Sequence, residues 1–271
     1  SHQWVLTLKP RRQPQEDDTL QRPLQTAIAT FDETSITWRG RDLVDEILGK
    51  HSFTEVIYFL LRGRMPSGTE TRVLDMCLIT LMEHGMTPHA IVTRLTQLCN
   101  PRQPQMAMAA GLACVGDQFA GTMDGCGRIL EAGLAAADRA AFCVETVSEH
   151  REKRRPMPGF GHNLHKPDDP RSPRLFALAR EAGVKGEAIA LLEALSAELD
   201  RQSGRHITIN ATGALAALML EIDIPVPAMR CLAVLSRAGG LAAHVMEETE
   251  TKSAMSIWLN VEDDFTYRDE L

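Results

Sequence analysis

The chain has 271 residues, of which 44% are hydrophobic, 24% charged and only 5% aromatic. It carries 29 Lys and Arg against 36 Asp and Glu, which gives a net charge of −7. This length permits one large domain or two closely packed subdomains, and the negative charge argues against general binding of nucleic acid or anionic membranes. No apolar run approaches the roughly 20 residues that span a bilayer, so we expect a soluble, cytoplasmic protein with neither nucleic acid nor membrane as a partner.

The first 30 residues are polar and interrupted by prolines. Ser1 and His2 resemble the remnant of a tag, and Trp4, Leu6 and Leu8 alternate as in an edge strand or an extended arm. The rest of the sequence is poor in aromatic residues and rich in Ala, Leu, Met and Glu, which favours helices over strands.

Two capping boxes, Ser52 with Glu55 and Ser67 with Glu70, open predicted helices that are each followed by a glycine stop. A segment of small residues at 106–121 suits close helix packing. Further helices are predicted over 88–99, 128–150, about 174–182, 186–202, 211–222 and 227–248, followed by a polar tail over 249–271 that packs against something else, such as a second subunit.

The six cysteines lie in apolar helical text without a C-x-x-C pair and without a histidine at metal-binding spacing. This pattern predicts reduced, buried thiols and no metal site.

The Pro- and Gly-rich loop at 156–173 is the least helical interior segment and contains the residues best suited to chemistry. Gly159 and Gly161 let the backbone approach a ligand closely, and His162 and His165 supply ring nitrogens. Arg171 can clamp a carboxylate because its planar fork matches two oxygens. The alternative interpretation is an exposed connector whose histidines have no function.

This loop resembles the G-[FY]-G-H-x-x-[HY]-K-x-x-D-P-R signature of the citrate synthase family, and its ending most resembles the short citryl-CoA lyase branch. Five other segments resemble parts of the family pattern in the same order. ITWRGRDLVDEI and SFTEVIYFLLRGRMPS resemble the early helices, AAGLACVGDQFAG the G-x-x-H-G-G loop, INATGALAALMLEIDIP the N-V-D-G-A segment, and SRAGGLAAHVMEE the late R-x-x-G-x-x-A-H helix.

The resemblance implies an all-α fold with a small subdomain over 121–223 and a large subdomain over 1–120 and 224–271. It implies that His162 binds a carbonyl and that Arg171 and Arg237 clamp carboxylates, with Asn163 and Asn210 also at the substrate. The residues expected to hold coenzyme A are Arg154, Arg155, Pro158, Gly159 and Phe160. The implied ligands are an acyl-CoA and a small carboxylate or keto acid, without a metal, in a homodimer or higher oligomer.

We assign the expected catalytic positions to His162, Thr212, Phe119 and His165. Two of these four residues, Phe119 and Thr212, depart from the family pattern. Phe119 stands at the loop histidine and Thr212 at the aspartate, while Asn163 replaces an arginine. Because a phenyl ring cannot donate a hydrogen bond and a Thr hydroxyl is no base near neutral pH, two of three expected groups are missing.

Four residues near these positions could have replaced the missing base, and the sequence does not choose among them: Asp117, Asp124, His165 and His206. The leading hypothesis is an enzyme that makes or cleaves a carbon–carbon bond of an acyl-CoA thioester other than that of citrate. The alternative is a non-catalytic homologue that binds CoA and carboxylates in a regulatory or partner role.

Overall fold

The computed structural model describes residues 25–117 and 122–269, and the chain divides into two compact units between Lys50 and His51. The predicted arm around Trp4 lies outside the described residues. The first unit contains an antiparallel sheet in the order β1 (Ala29–Phe31), β2 (Ile36–Trp38) and β3 (Arg41–Asp42), followed by one π-helical turn at Leu43–Ile47.

The expectation that ITWRGRDLVDEI forms an early helix is wrong. Its first half is a hairpin, because Arg39 and Gly40 adopt positive φ angles of 48° and 83° that turn the chain back on itself. Thr37 then pairs with Asp42 across the two strands. The Asp42 side chain accepts hydrogen bonds from the next backbone amides and starts the short helical turn.

The second unit is built from helices, which confirms the predicted all-α class. Its described helices are α1 (Phe53–Arg62), α2 (Gly68–Met82), α3 (Pro88–Cys99), α4 (Pro104–Ala113), α5 (Thr122–Ala135), α6 (Arg139–Glu152), α7 (Arg171–Ala182), α8 (Glu187–Ser203), α9 (Ala211–Glu221), α10 (Val226–Thr251) and α11 (Ser253–Asp264). None of the described helices combines the length and the apolar composition needed to cross a bilayer.

Two predicted helix boundaries differ from the structure. The single helix expected over 128–150 is split into α5 and α6, because Asp138 accepts hydrogen bonds from two backbone amides and caps the second helix. The expected polar tail over 249–271 contains α11, which starts after Lys252 turns the chain with a φ of 52°. Glu248 accepts a hydrogen bond from the amide of Ala254 and so fixes this junction.

The core is centred on α9, where Ala214 through Met219 are completely buried. Close helix approach at the small-residue segment is confirmed at Gly111, where a Cβ atom would lie 1.9 Å from the hydroxyl oxygen of Thr93 on α3. All six cysteines are free, but the prediction that they are buried is wrong for Cys99 and Cys231, which are exposed. Because α9 is fixed by its surroundings, its first turn is a rigid support for the loop described next.

Candidate functional site

A cavity of about 580 Å³ opens where the end of α2, the loop after Gly159 and the first turns of α7 and α9 converge beside α10. Its polar lining combines histidines, arginines, threonines and asparagines. These polar lining residues are Thr80, His84, Thr87, His89, Thr122, His162, Asn163, Arg171, Asn210, Thr212 and Arg237. No Asp or Glu lines this cavity among residues 25–117 and 122–269.

The glycine loop is bonded to the segment that leads into α9. The amide of Gly161 donates to the carbonyl of Thr208 at 2.8 Å, and the amide of Asn210 donates to the carbonyl of Gly159 at 3.0 Å. Gly213 lies so close that a Cβ atom there would be 2.4 Å from the carbonyl oxygen of Gly159. Glycine is therefore required at 213 for the loop to reach its observed position.

The tautomer of His162 follows from its hydrogen bonds. Its Nδ1 atom accepts from the backbone amides of Leu164 at 3.1 Å and His165 at 3.0 Å. A neutral imidazole that accepts at Nδ1 carries its hydrogen on Nε2. Burial, followed by the charge of His165, lowers the pKa of His162, so the neutral form is favoured. The residue is thus prepared to donate one hydrogen bond from Nε2.

Arg171 opens α7 and is held by Asp169. Its Nε and Nη2 atoms donate to the two carboxylate oxygens at 2.9 and 2.8 Å. Asp169 is fully buried and also accepts from the amide of Ala211 at 3.0 Å. Burial raises the pKa of Asp169, but the hydrogen bonds from Arg171 and Ala211 outweigh it and the net shift is downward. This ion pair fixes the direction of the Arg171 fork.

Arg237 of α10 is less completely paired. Its Nη1 atom lies 3.8 Å from Glu83 Oε2 and has no hydrogen-bond partner among the described residues. Glu83 is shared, since its Oε1 atom accepts from the amides of His84 and Gly85 and its Oε2 atom lies 3.1 Å from His244 Nε2. Burial lowers the pKa of Arg237. A buried guanidinium with an open donor is well suited to bind an anion.

His84 is a cavity residue that sequence reasoning missed. Its ring lies edge-on to those of His162 and His165, with centroids 6.3 and 5.9 Å away. Burial and then the charge of Arg171 lower its pKa, so it is neutral near pH 7. The available signal was the Glu83-His84-Gly85 triplet at the end of α2, in which Gly85 was interpreted only as a helix stop.

Hydroxyl and amide groups form another part of the cavity lining. Thr212 in the first turn of α9 lies with its hydroxyl oxygen 2.8 Å from that of Thr122, the first residue of α5. It also donates to Asn210 Oδ1 at 2.7 Å. Asn210 caps α9 through the amide of Gly213 and donates from Nδ2 to the carbonyl of Gly161 at 2.9 Å. The predicted positions 210 and 212 therefore meet at the cavity and hold the glycine loop.

Three imidazoles, those of His84, His162 and His165, each place one ring nitrogen within 4.8 Å of the others. A metal on Nε2 of His162 would need the Nδ1–H tautomer, whereas Nδ1 already accepts two backbone hydrogen bonds. Arg171 and Arg237 also make the cavity positive. These contacts fit an anion better than a cation.

The structure brings seven of the predicted site residues together around the cavity: Phe160, His162, Asn163, Arg171, Asn210, Thr212 and Arg237. His165 lies behind His162, with ring centroids 4.3 Å apart. Four residues predicted to hold CoA do not line the cavity: Arg154 and Arg155 are exposed, Pro158 packs at Gly125, and Gly159 is buried beneath the loop. Phe119 lies outside the described residues.

None of the four candidates for a replacement base lines the described cavity. Asp117 and Asp124 both form ion pairs with Arg230, at 3.0 and 3.1 Å. His206 lies between Asp200 and a loop carboxylate, Asp168, with its two ring nitrogens 2.6 and 2.9 Å from their oxygens.

Comparison with solved structures finds the same fold in enzymes of citrate metabolism. Citryl-CoA lyase from Hydrogenobacter thermophilus has a TM-score of 0.83 at 29% identity, over 92% of this chain and 96% of that chain. ATP citrate lyase from Methanothrix soehngenii, solved in complex with citrate and coenzyme A, has a TM-score of 0.72 at 19% identity, over 86% of this chain and 40% of that one.

Among curated relatives, the citrate synthase of Heyndrickxia coagulans is 23% identical over 73% of this chain and 53% of its own length. The chain spans about half or less of the length of this citrate synthase and of two probable ATP-citrate synthases that it also matches. The profile of the family described as citrate synthase, C-terminal domain, matches residues 66–258. Since this match includes the whole cavity and well over half of the sequence, the chain belongs to the citrate synthase family.

Proposed function

We propose that this protein makes or cleaves a carbon–carbon bond of an acyl-CoA thioester, by a Claisen, retro-Claisen or aldol type of reaction, on a substrate that differs from citryl-CoA. The observation that carries the proposal is the convergence of Arg171, Arg237 and the Nε2–H donor of His162 on one cavity. The likeness to a citryl-CoA lyase over nearly the whole of both chains supports the use of a CoA thioester.

In the cleavage direction, the β-hydroxyl group of the acyl chain loses its proton and the bond between the α and β carbons breaks. The electron pair of that bond passes to the α carbon, which gives an oxo acid and a thioester enolate that is then protonated. His162 would donate its hydrogen bond to the β oxygen, and the arginines would hold a carboxylate of the same substrate. The neutral imidazole of His84 could accept the proton.

The substitution of the family aspartate by Thr212 supports a substrate other than citryl-CoA. A hydroxyl cannot act as a carboxylate base near neutral pH, and loss of a general base costs about 10² to 10⁴ in rate. Phe160 and Leu164 make part of the lining apolar, which suits an acyl chain.

The experiment is to incubate purified protein with citryl-CoA and with a panel of β-hydroxy and β-keto acyl-CoAs, and to follow release of acetyl-CoA or another shortened thioester by mass spectrometry. Cleavage of at least one member other than citryl-CoA is expected. His162→Ala should abolish it, whereas His51→Ala, a histidine outside the cavity with one long contact to Glu55 at 3.9 Å, should not. Absence of turnover across the panel would refute the enzymatic proposal.

A specific observation favours the second candidate, a non-catalytic protein that binds CoA and carboxylates in a regulatory or partner role. No carboxylate of the described residues lines the cavity, so the usual acidic base is missing there. Calorimetry with CoA and short dicarboxylates separates the two candidates. Tight binding by a protein that turns over no thioester would establish the second.

We further propose a homodimer and a small subdomain over 121–223 that closes on the large one. Closure is supported by the composition of the cavity wall, since His84 and Arg237 come from the predicted large subdomain and His162 and Thr212 from the small one. Dimerisation is supported by exposed apolar side chains on α11, among them Trp258. Light scattering measures the mass, and small-angle scattering with and without CoA measures closure.

A further inference from the structure

The hydroxyl pair formed by Thr122 and Thr212 has a defined hydrogen-bond direction, and this direction bears on substrate choice. The inference rests on the proposed function, because it concerns the same cavity. Both residues line that cavity, and their oxygens are 2.8 Å apart.

The direction follows from the side-chain amide of Asn210. Its Nδ2 atom donates to the carbonyl of Gly161, so Oδ1 is the atom that faces Gly213 and Thr212. Thr212 donates its single hydroxyl hydrogen to this Oδ1 atom at 2.7 Å. It can therefore only accept from Thr122, which must donate its own hydrogen. The chain runs from Thr122 to Thr212 to Asn210.

As a result, neither hydroxyl has a hydrogen left for a ligand. The Thr122 oxygen keeps acceptor capacity, and its partner among the described residues is Thr212 alone. A ligand oxygen without a hydrogen would meet lone pairs there, whereas a ligand hydroxyl would find an acceptor. An ammonium donor is disfavoured by Arg171 and Arg237 in the same cavity.

We infer that Thr122 is a specificity-determining residue that accepts a hydrogen bond from a hydroxyl group of a carboxylate-bearing substrate, with Thr212 and Asn210 fixing the direction. In the bound ground state the ligand hydroxyl accepts at the same time from Nε2 of His162, because one hydroxyl both donates and accepts. For cleavage, its hydrogen turns from Thr122 to the proposed proton acceptor, His84, which lines the same cavity. A ligand that lacks the hydroxyl leaves the acceptor oxygen of Thr122 unpaired, and this cost makes the site discriminate between acids with and without the hydroxyl.

The test compares acids that differ only in one hydroxyl group: citrate against tricarballylate, and malate against succinate. Calorimetry on the full chain, with and without CoA, gives the affinity ratio within each pair. The wild type should bind the hydroxy acid about tenfold more tightly, a value typical of one or two buried hydrogen bonds. The four acids lack the pantetheine arm of CoA. In the experiments without CoA, a pantetheine amide therefore cannot supply the hydrogen that Thr122 accepts.

Thr122→Val should lower the ratio to near 1 by weakening the hydroxy acid alone, and Thr122→Ser should restore the preference. Thr80→Val is the matched control, since Thr80 lines the same cavity but donates to the backbone carbonyl of Met76, so the ratio should stay unchanged. Thr122→Ala provides a second route should Thr122→Val misfold, because it also removes the acceptor oxygen and should also reduce the ratio.

A ratio near 1 in the wild type, or a preference that persists in a folded Thr122→Val or Thr122→Ala protein, overturns the inference while leaving carboxylate binding intact. If none of the four acids binds, with or without CoA, the proposed carboxylate site fails and the inference fails with it. The two failures are therefore distinguishable.

Discussion

Gly213→Ala gives a quantitative test of how the glycine loop is held against α9. The new Cβ atom would lie 2.4 Å from the carbonyl oxygen of Gly159 and 2.9 Å from its Cα atom. Both distances fall roughly 1 Å short of ordinary contact, and both neighbours are backbone atoms, so the loop must move. Overpacking of this kind costs about 1–3 kcal/mol, against a gain in helix propensity of at most about 1 kcal/mol.

We therefore expect a net loss of about 1–2 kcal/mol in the free energy of unfolding, measured by urea denaturation. A shift of about 1 Å in the loop that carries His162 should also lower turnover or, for a binding protein, ligand affinity, by up to about 100-fold. Gly68→Ala is the matched control, because Gly68 also lies in the first turn of a helix but a Cβ atom there meets nothing within 4 Å.

The reasoning is refuted if Gly213→Ala is as stable as Gly68→Ala and binds or turns over its ligand like the wild type. A stability loss without any functional loss would show instead that the loop moves without displacing His162.

Three further predictions concern charged groups in the cavity and on the surface. Asp169→Asn should lower the free energy of unfolding by about 3 kcal/mol in urea, because it leaves the fork of Arg171 without its buried anion. The pKa of His206 is raised by the hydrogen bonds that its ring donates to the carboxylates of Asp200 and Asp168. The stability that the His206 contacts contribute is fully present below the unfolded pKa of about 6.5 and is lost as the pH rises through the higher folded pKa. Because the His206 side chain is about half exposed, this contribution is about 1 kcal/mol or less. Binding of a short dicarboxylate should take up protons, because a bound anion raises the lowered pKa of His84, and affinity should fall as the pH rises.

Each of these has a direct check. For the buried aspartate, Asp45→Asn at an exposed site should change stability by less than about 0.5 kcal/mol; equal losses would contradict the argument. For the surface histidine, the stability difference between wild type and His206→Gln should shrink from about pH 5 to about pH 8, and a constant difference would rule out a titrating contact. Proton uptake is obtained from calorimetry in buffers of different ionisation enthalpy, where identical heats would show that no histidine changes its charge.

The helical class and most helix starts could be predicted because their causes are local. The capping boxes at Ser52 and Ser67 each place a side chain on a backbone amide three residues away, and both form as expected. The hairpin at Ile36–Asp42 departs from the predicted helix because Arg39 and Gly40 turn the chain, a local signal that the likeness to family helices does not contain. The break at Asp138 was missed because alanines on both sides of it favour helix.

The site was predictable only where its residues are close together in sequence. The loop with His162 and Arg171 can be recognised as a motif, whereas His84 enters the cavity from the end of α2, far away along the chain. The position of His84 depends on how the end of α2 is held against α10. Glu83 makes this link, because it accepts from the amide of His84 and lies beside His244 of α10. A single sequence carries no direct signal for such a meeting of distant helices.

The two arginines of the cavity are not equivalent, and the difference assigns them separate roles. Two donors of Arg171 are already bonded to the buried carboxylate of Asp169, which is itself tied to the first turn of α9. Arg237 has only a long contact to Glu83, at 3.8 Å, and an Nη1 atom without a hydrogen-bond partner among the described residues. An incoming carboxylate can therefore bind Arg237 without first breaking an ion pair, whereas at Arg171 it must share the fork with Asp169. We therefore propose that Arg237 is the stronger anchor for a carboxylate and that Arg171 chiefly orients the loop, both acting locally against the net charge of −7.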